Sequence, residues 1–214
     1  SANELHKHFE KIALENIDNG SFKDFKRNIK AIVQAFDNLE LIDIRKPRVG
    51  VVGEILVKFH PLANNNVVDV IEEEGGEAVV PDLTDFFLYS AYGGVYKYRY
   101  LQGTKTSYLG CKAAIKGIEM YRRTLKEALN NSKRFSPPEA IETLAHKATR
   151  VLSLGNQTGE GWFLTAEMME LLDSGVNNIL CVQPFACLPN HVTGKGMIKP
   201  LRHIYPDANI TPVD

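Results

Sequence analysis

Along the first part of the chain, apolar positions recur every third or fourth residue. Leu5, Phe9, Ile12 and Ala13 form one set; Phe22, Phe25, Ile29, Ile32, Val33, Phe36 and Leu39 form a second. Each set draws one stripe along a helix. Asn19-Gly20-Ser21 breaks the two, so residues 1–46 are predicted to be a helical hairpin. The period then changes. Arg48-Val-Gly-Val-Val-Gly53 is a short β-branched run closed by glycine, the pattern of a buried parallel strand. Asn65 to Glu74 reads as a helix, capped by Asn64 or Asn65 and stopped by Gly75. Glu77 to Asp82 reads as a second strand, which completes a right-handed βαβ unit.

Helical periodicity returns from about Thr84 to Thr149 and predicts a helical insertion outside the sheet. Its clearest stripe is Cys111, Ile115, Ile118, Tyr121, Leu125 and Leu129. Strand patterns resume at Val151–Leu154, Asn178–Val182 and Asn209–Val213, with helices over Trp162–Asp173 and about His191–Ile204 between them. Alternation of this kind predicts an α/β fold over residues 47–214: a doubly wound, mostly parallel sheet, its strands following the order of the βα units. The last strand pattern runs into Asp214, which suggests a piece excised from a longer polypeptide.

Composition narrows the class. With 44% hydrophobic and 24% charged residues, the 214-residue chain reads as globular, and 16 Gly with 10 Pro exclude collagen-like and low-complexity sequence. No apolar run reaches the roughly 18 residues of a membrane helix, so no membrane partner is expected. The opening Ser1-Ala2-Asn3-Glu4 lacks the basic-then-apolar pattern of a signal peptide. Three cysteines cannot all pair with one another, and a reducing compartment is expected: the cytoplasm, or an organism living without oxygen.

The net charge of −1 conceals a cationic segment. Ten Lys and Arg lie between Lys97 and Arg134, against only Glu119 and Glu127. Tyr89, Tyr92, Tyr96, Tyr98, Tyr100 and Tyr108 precede or interleave them. Rings that stack on bases beside cations that meet phosphates are what a nucleic-acid groove requires. A solvated helical face is the competing and preferred reading; a CoA tail or an acidic partner protein would satisfy the same charge.

Ligands of open parallel sheets bind beyond the carboxyl ends of the strands, which selects three loops. Gly53 to Ala63 offers Glu54, Lys58 and His60; alternatively Glu54 caps a helix and His60 is a surface residue. Gly155 to Trp162 carries Gly159, Glu160 and Gly161 at a helix start, where backbone N–H groups can approach an anion, or where the glycines simply make a tight turn. Gln183 to Gly196 carries Cys187, His191 and Lys195. Cys111 and Cys181 lie on apolar faces and read as small buried hydrophobes. Cys187 lies on the loop, where a thiol can be a nucleophile or a metal ligand, and its spacing to His191 permits shared ligation. All of these residues are expected to converge at one edge of the sheet.

Several strings resemble the 2-hydroxyglutaryl-CoA dehydratase D-component family, and most closely the long fused proteins related to acyl-CoA dehydratase activases. They are Arg48-Val-Gly-Val-Val-Gly-Glu-Ile55 with Pro61-Leu-Ala-Asn-Asn65, Gly159-Glu-Gly-Trp162 with Thr165-Ala-Glu167, and Gln183-Pro-Phe-Ala-Cys-Leu-Pro-Asn-His191 with Gly194-Lys-Gly196. The likeness runs from Arg48 to Asp214 and implies a C-terminal fragment with a Rossmann- or flavodoxin-like sheet. It also implies anaerobic radical chemistry: an ATP-dependent activase domain or subunit supplies a low-potential electron through [4Fe-4S] clusters, and water is removed from a 2-hydroxyacyl-CoA. On that resemblance Cys187 would ligate a cluster. His191 and Lys195 would stabilise negative charge on the thiolates or on an acyl-CoA; Glu54 and His60 are the further catalytic candidates of the edge, and Gly159, Glu160 and Gly161 its cofactor-binding candidates. The chain departs from the family in having no nucleotide-binding domain and too few cysteines. The cluster is therefore expected in the full-length protein and not in the fragment, which alone is expected to be inactive. The alternatives are a nucleic-acid or polyanion-binding module through the Tyr-rich basic segment 89–134, and a non-catalytic regulatory domain on the same fold.

Overall fold

The computed structural model describes residues 1–214. The first half of the chain forms α1 (Ala2–Asn19), α2 (Phe22–Asp37), β1 (Arg48–Gly53), α3 (Ile55–Phe59), α4 (Val67–Glu73), β2 (Glu77–Val79), α5 (Thr84–Tyr100) and α6 (Lys105–Asn130). The second half forms α7 (Ile141–Ala148), α8 (Gly161–Asp173), β3 (Asn178–Val182), α9 (Leu188–Thr193), α10 (Ile198–Ile204) and β4 (Asn209–Val213). Two compact units result: Ser1–Ile44 with Ala113–Glu139, and Arg45–Lys112 with Ala140–Asp214. No helix is long and apolar enough to cross a membrane.

The helical unit is held together locally. Ser1 and Glu4 form a capping box on α1, and Gly20 ends it at φ +61°. The Ser21 hydroxyl then accepts the Asp24 N–H and starts α2. The Phe22 and Phe25 rings meet Tyr121 edge-on at 5.1 and 6.2 Å. Asp37 accepts from the Ser132 hydroxyl at 2.7 Å and from the Lys133 N–H at 3.1 Å. The predicted hairpin is thus completed as a three-helix unit by Ala113–Glu139, which the hydrophobic period assigns to the insertion.

The second unit is α/β and doubly wound around a four-stranded, all-parallel sheet in the order β2-β1-β3-β4. The strands therefore do not lie in chain order, as expected from the βα units; β3 passes β2 and pairs with β1. The reason lies in α8, the crossover helix. Eleven of its thirteen residues are buried, and Leu164, Met168, Met169, Leu171 and Leu172 share one core with Val52, Ile179, Cys181 and Ile210. Gly50 permits the approach, since a Cβ there would stand 2.6 Å from Leu171 Cδ1. On the other face Val51 and Val182 pack with Ile71 of α4.

Three local expectations are corrected. Val151–Leu154 is a turn rather than a strand: Asn156 N–H and the Asn156 side-chain amide both donate to Ser153 O, which folds the segment back. The Gly53–Ala63 connection holds the short helix α3, and α4 begins at Val67, whose N–H is accepted by the Asn64 side chain at 3.1 Å. The single helix expected over His191–Ile204 is α9 and α10, separated where Gly194 turns the backbone tightly against Cys181 and Leu164. The predicted helical character of the insertion holds as α5, α6 and α7.

Candidate functional site

Gly53, Val182 and Val213 lie level in the sheet, so Glu54, Gln183 and Asp214 follow one another along its carboxyl edge. Backbone bonds extend the register by one step: Glu54 N–H donates to Val182 O at 3.0 Å and Gln183 N–H to Val213 O at 2.9 Å. The chain turns so closely here that a Cβ on Gly53, at φ +148°, would sit 1.8 Å from Val182 O. Only glycine fits. Helices leave β1 and β3 toward opposite faces, making the gap between these strands the place where doubly wound sheets take ligands.

A carboxylate of the chain itself occupies this gap. Glu160, 6% exposed, accepts the N–H of Ile55 at 3.1 Å through Oε1. With the Asn190 amide in its bonded orientation, Asn190 donates to Glu160 Oε2 at 2.8 Å and accepts the Glu54 N–H at 3.3 Å. The three loops are thereby tied together. The Glu54 side chain accepts the Val57 N–H at 2.8 Å and caps α3, and His60 is exposed at the C-terminal end of that helix.

The glycine loop is a tight, filled turn. Gly159 and Gly161 have φ +60° and +49°, and a Cβ on Gly161 would lie 2.2 Å from Asn156 O and 2.5 Å from the Tyr89 hydroxyl. The first N–H groups of α8 are already used, Trp162 bonding Asn156 O at 2.8 Å and Phe163 bonding Glu160 O at 3.0 Å. Tyr89 donates to Gly159 O at 3.0 Å, and its ring packs on Trp162 and Phe163. Burial, assisted by the Glu160 charge, pushes its phenol up to about 12.

Beside β3 and β4 a polar chain runs along the edge. Gln183 is 2% exposed, and its Nε2 lies 2.8 Å from both His191 Nδ1 and Asp214 Oδ1. Asp214 is also paired with Lys195 through its other oxygen. The hydrogen bonds from Lys195 and Gln183 hold the Asp214 carboxyl below its usual range. Cys187 opens α9 as its N-cap and is half-buried and free. Cys181 lies inside β3 facing the core, where burial pushes its thiol up to about 12. Cys111, half-buried, packs against Gly94.

Below the edge, Lys58 of α3 reaches the middle of α8 and donates to Glu167 Oε1 at 2.7 Å, both side chains out of water. Desolvation raises the Glu167 carboxyl above its usual range, opposed by Lys58. No group of three or more His, Cys, Asp and Glu stands close enough to hold a metal ion. The residues present therefore do not by themselves make a ligand set for a cluster, and Cys187 is a single free thiol.

The structure brings together Glu54 with Glu160, and His191 with Lys195 through Gln183 and Asp214. It leaves His60 on the surface. Gln183, Asn190 and Glu167 stand inside the quoted strings without a role assigned to them, and Asp214 stands outside them. For two of them a signal exists, because Gln183 and Asp214 are the first residues after strands β3 and β4. The cationic segment is divided: Lys97, Arg99, Lys105 and Lys112 belong to the α/β unit and the other six cations to the helical unit. There Arg122 and Lys126 pair with Glu119, and Arg123 with Glu127. Tyr98 stacks on Tyr108 at 4.6 Å, so part of the ring surface is already covered.

No family model, no curated protein and no solved structure matches the chain.

Proposed function

We propose that this chain is a domain of a cytoplasmic protein of the 2-hydroxyacyl-CoA dehydratase or dehydratase-activase type. In this reading its carboxyl edge contributes to an acyl-CoA site, and Cys187 gives a single thiolate to an iron–sulfur cluster completed by other parts of the protein. The observation that carries the reading is the position of Cys187. Of three free thiols it alone opens a helix after a central strand, four residues before His191 and next to the polar row along the edge. A cluster when bound would supply the one-electron chemistry. The chain's own residues would orient the substrate: His191 and Lys195 supply donors for an acyl oxygen, and Glu160 with Asn190 fixes the loops that carry them.

A cleft of about 560 Å³ beside β4 is lined by Lys195, Lys199 and Arg202 with Ile198, Ile210 and Pro212. Lys199 and Arg202 suit the phosphates of CoA, and the apolar wall suits the adenine. The test is binding of acetyl-CoA to the ¹⁵N-labelled chain, followed by NMR. Shifts confined to Lys195, Lys199, Arg202 and the Cys187–Gly196 loop support the reading. No shift at millimolar acetyl-CoA, or shifts on the helical unit only, would contradict it. Retention on heparin that weakens with salt and is lost on neutralising Lys97, Arg99, Lys105 and Lys112 would favour the alternative, a polyanion site.

A further inference from the structure

We infer that Gln183 is a positioning residue that fixes His191 as the tautomer protonated on Nε2, so that this edge offers an oxygen ligand a hydrogen-bond donor and offers a metal ion no nitrogen lone pair. Gln183 Nε2 stands 2.8 Å from His191 Nδ1 and 2.8 Å from Asp214 Oδ1. An ionised carboxylate only accepts, so the group facing it must be the NH₂ and not the carbonyl. Asp214 stays ionised because Lys195 holds its second oxygen. One amide hydrogen therefore goes to Asp214, and the other goes to His191.

The consequence for the ring is direct. A nitrogen that receives a hydrogen bond carries a lone pair and no proton, so Nδ1 is the bare nitrogen and the neutral ring holds its proton on Nε2. Metal-ligating histidines are arranged the other way: the non-ligating nitrogen donates to a carboxylate or carbonyl, which frees the lone pair opposite for the metal. Rotating the amide would restore that arrangement. It would also set its carbonyl against the Asp214 carboxylate, two acceptors at hydrogen-bond distance, and the bond gained from Nδ1–H would replace the one lost to Asp214's charge. The amide pays for this orientation in one respect, since Gln183 Oε1 is buried without a partner.

Shared ligation of one metal ion by Cys187 and His191, which their spacing alone permits, is therefore disfavoured, because it would require the amide to rotate against Asp214. The ligand class left to His191 is a carbonyl or carboxylate oxygen. Naming that oxygen as a thioester's rests on the reading above; the tautomer does not, and the experiment uses neither acyl-CoA nor cluster.

The ¹⁵N-labelled chain is studied by NMR, and the neutral ring of His191 is identified from its own two nitrogen shifts. The expected spectrum has His191 Nδ1 unprotonated, Nε2 protonated, and a coupling across the hydrogen bond between the Gln183 side-chain nitrogen and His191 Nδ1. Gln183→Glu replaces the donor by an acceptor and is expected to move the proton to Nδ1; Gln183→Leu is expected to abolish the coupling. Added zinc is expected to leave the Nε2 proton in place. A wild-type spectrum with protonated Nδ1, or a zinc-induced loss of the Nε2 proton, overturns the proposal. If either variant fails to fold, the wild-type spectrum and the zinc titration still decide it.

Discussion

Lys58 and Glu167 meet at 2.7 Å inside the α/β unit, and neither side chain reaches solvent. Glu167 stands in the middle of α8, a helix whose neighbouring positions are all buried. A charge there is tolerated because α3, the short helix after β1, delivers a cation to it. The pair thus links the first βα loop to the crossover helix beneath the site.

Removing Lys58 leaves the Glu167 carboxylate buried without its cation, with Asp82 and Asp85 also acting on it. Lys58→Met alone is expected to cost about 3–5 kcal/mol, and Glu167→Leu alone less, because Lys58 keeps acidic neighbours. The double variant is expected to be more stable than Lys58→Met, because the uncompensated carboxylate is gone. Urea unfolding of the three variants gives the comparison. Additive losses in the double variant would contradict a coupled pair.

The turn before α8 makes a prediction with a built-in control. Gly161 and Gly175 both have positive φ, +49° and +81°, but a Cβ at Gly161 meets Asn156 O at 2.2 Å while one at Gly175 meets nothing within 4 Å. Gly175→Ala is expected to cost about 1–2 kcal/mol for the left-handed backbone. Gly161→Ala must also displace the carbonyl that Trp162 N–H bonds, so it is expected to cost clearly more and to disturb Tyr89. Equal losses in thermal unfolding would contradict the packing described for the loop.

Thiol reactivity should rank the cysteines. Cys181, buried and with its thiol pushed up to about 12, carries almost no thiolate near neutral pH. Cys187, half-buried on the edge, is expected to alkylate first with iodoacetamide, with Cys111 slower and Cys181 last, as read by peptide mass. Faster labelling of Cys111 or Cys181 would contradict the assignment.

The Asp214 carboxyl should titrate low. Hydrogen bonds from Lys195 and Gln183 depress its pKa in the folded chain relative to the unfolded one. A depressed carboxylate contributes stability that is present above the unfolded value, about 3.9, and is lost as pH falls through the folded one. The polar row on the edge is therefore expected to be intact at neutral pH and to loosen only in acid below the ordinary carboxylate range. An NMR titration of the Asp214 side-chain carbon checks this, and Lys195→Met is expected to move the midpoint upward. A wild-type midpoint at or above the ordinary value would contradict the pairing.

Much of this architecture is legible in the sequence, because parallel strands and amphipathic helices leave strong periodic signals. The runs at Arg48–Gly53 and Asn178–Val182 are β-branched and closed by turn residues, and both are central strands. Val151–Leu154 carries a similar short apolar pattern, yet it is a turn, since four residues do not separate a strand from an apolar turn that packs on a core. The strand order is not written locally at all. It depends on which strands α8 can cover, a matter of tertiary packing. The same holds at the site: Cys187 and His191 stand out by residue type, whereas Gln183 becomes informative only when the register sets it beside Asp214. Glu167, in a string of apolar residues, gains its meaning from Lys58, more than a hundred positions earlier.

The most direct test of the functional account is iron content. The protein, reconstituted with iron and sulfide without oxygen, is compared as wild type, Cys187→Ser and Cys181→Ser. If Cys187 supplies one thiolate to a cluster, Cys187→Ser lowers the iron bound per chain and weakens the thiolate-to-iron absorption, while Cys181→Ser, provided it folds, keeps both. Unchanged iron stoichiometry and spectrum in Cys187→Ser would remove the cluster role from this domain.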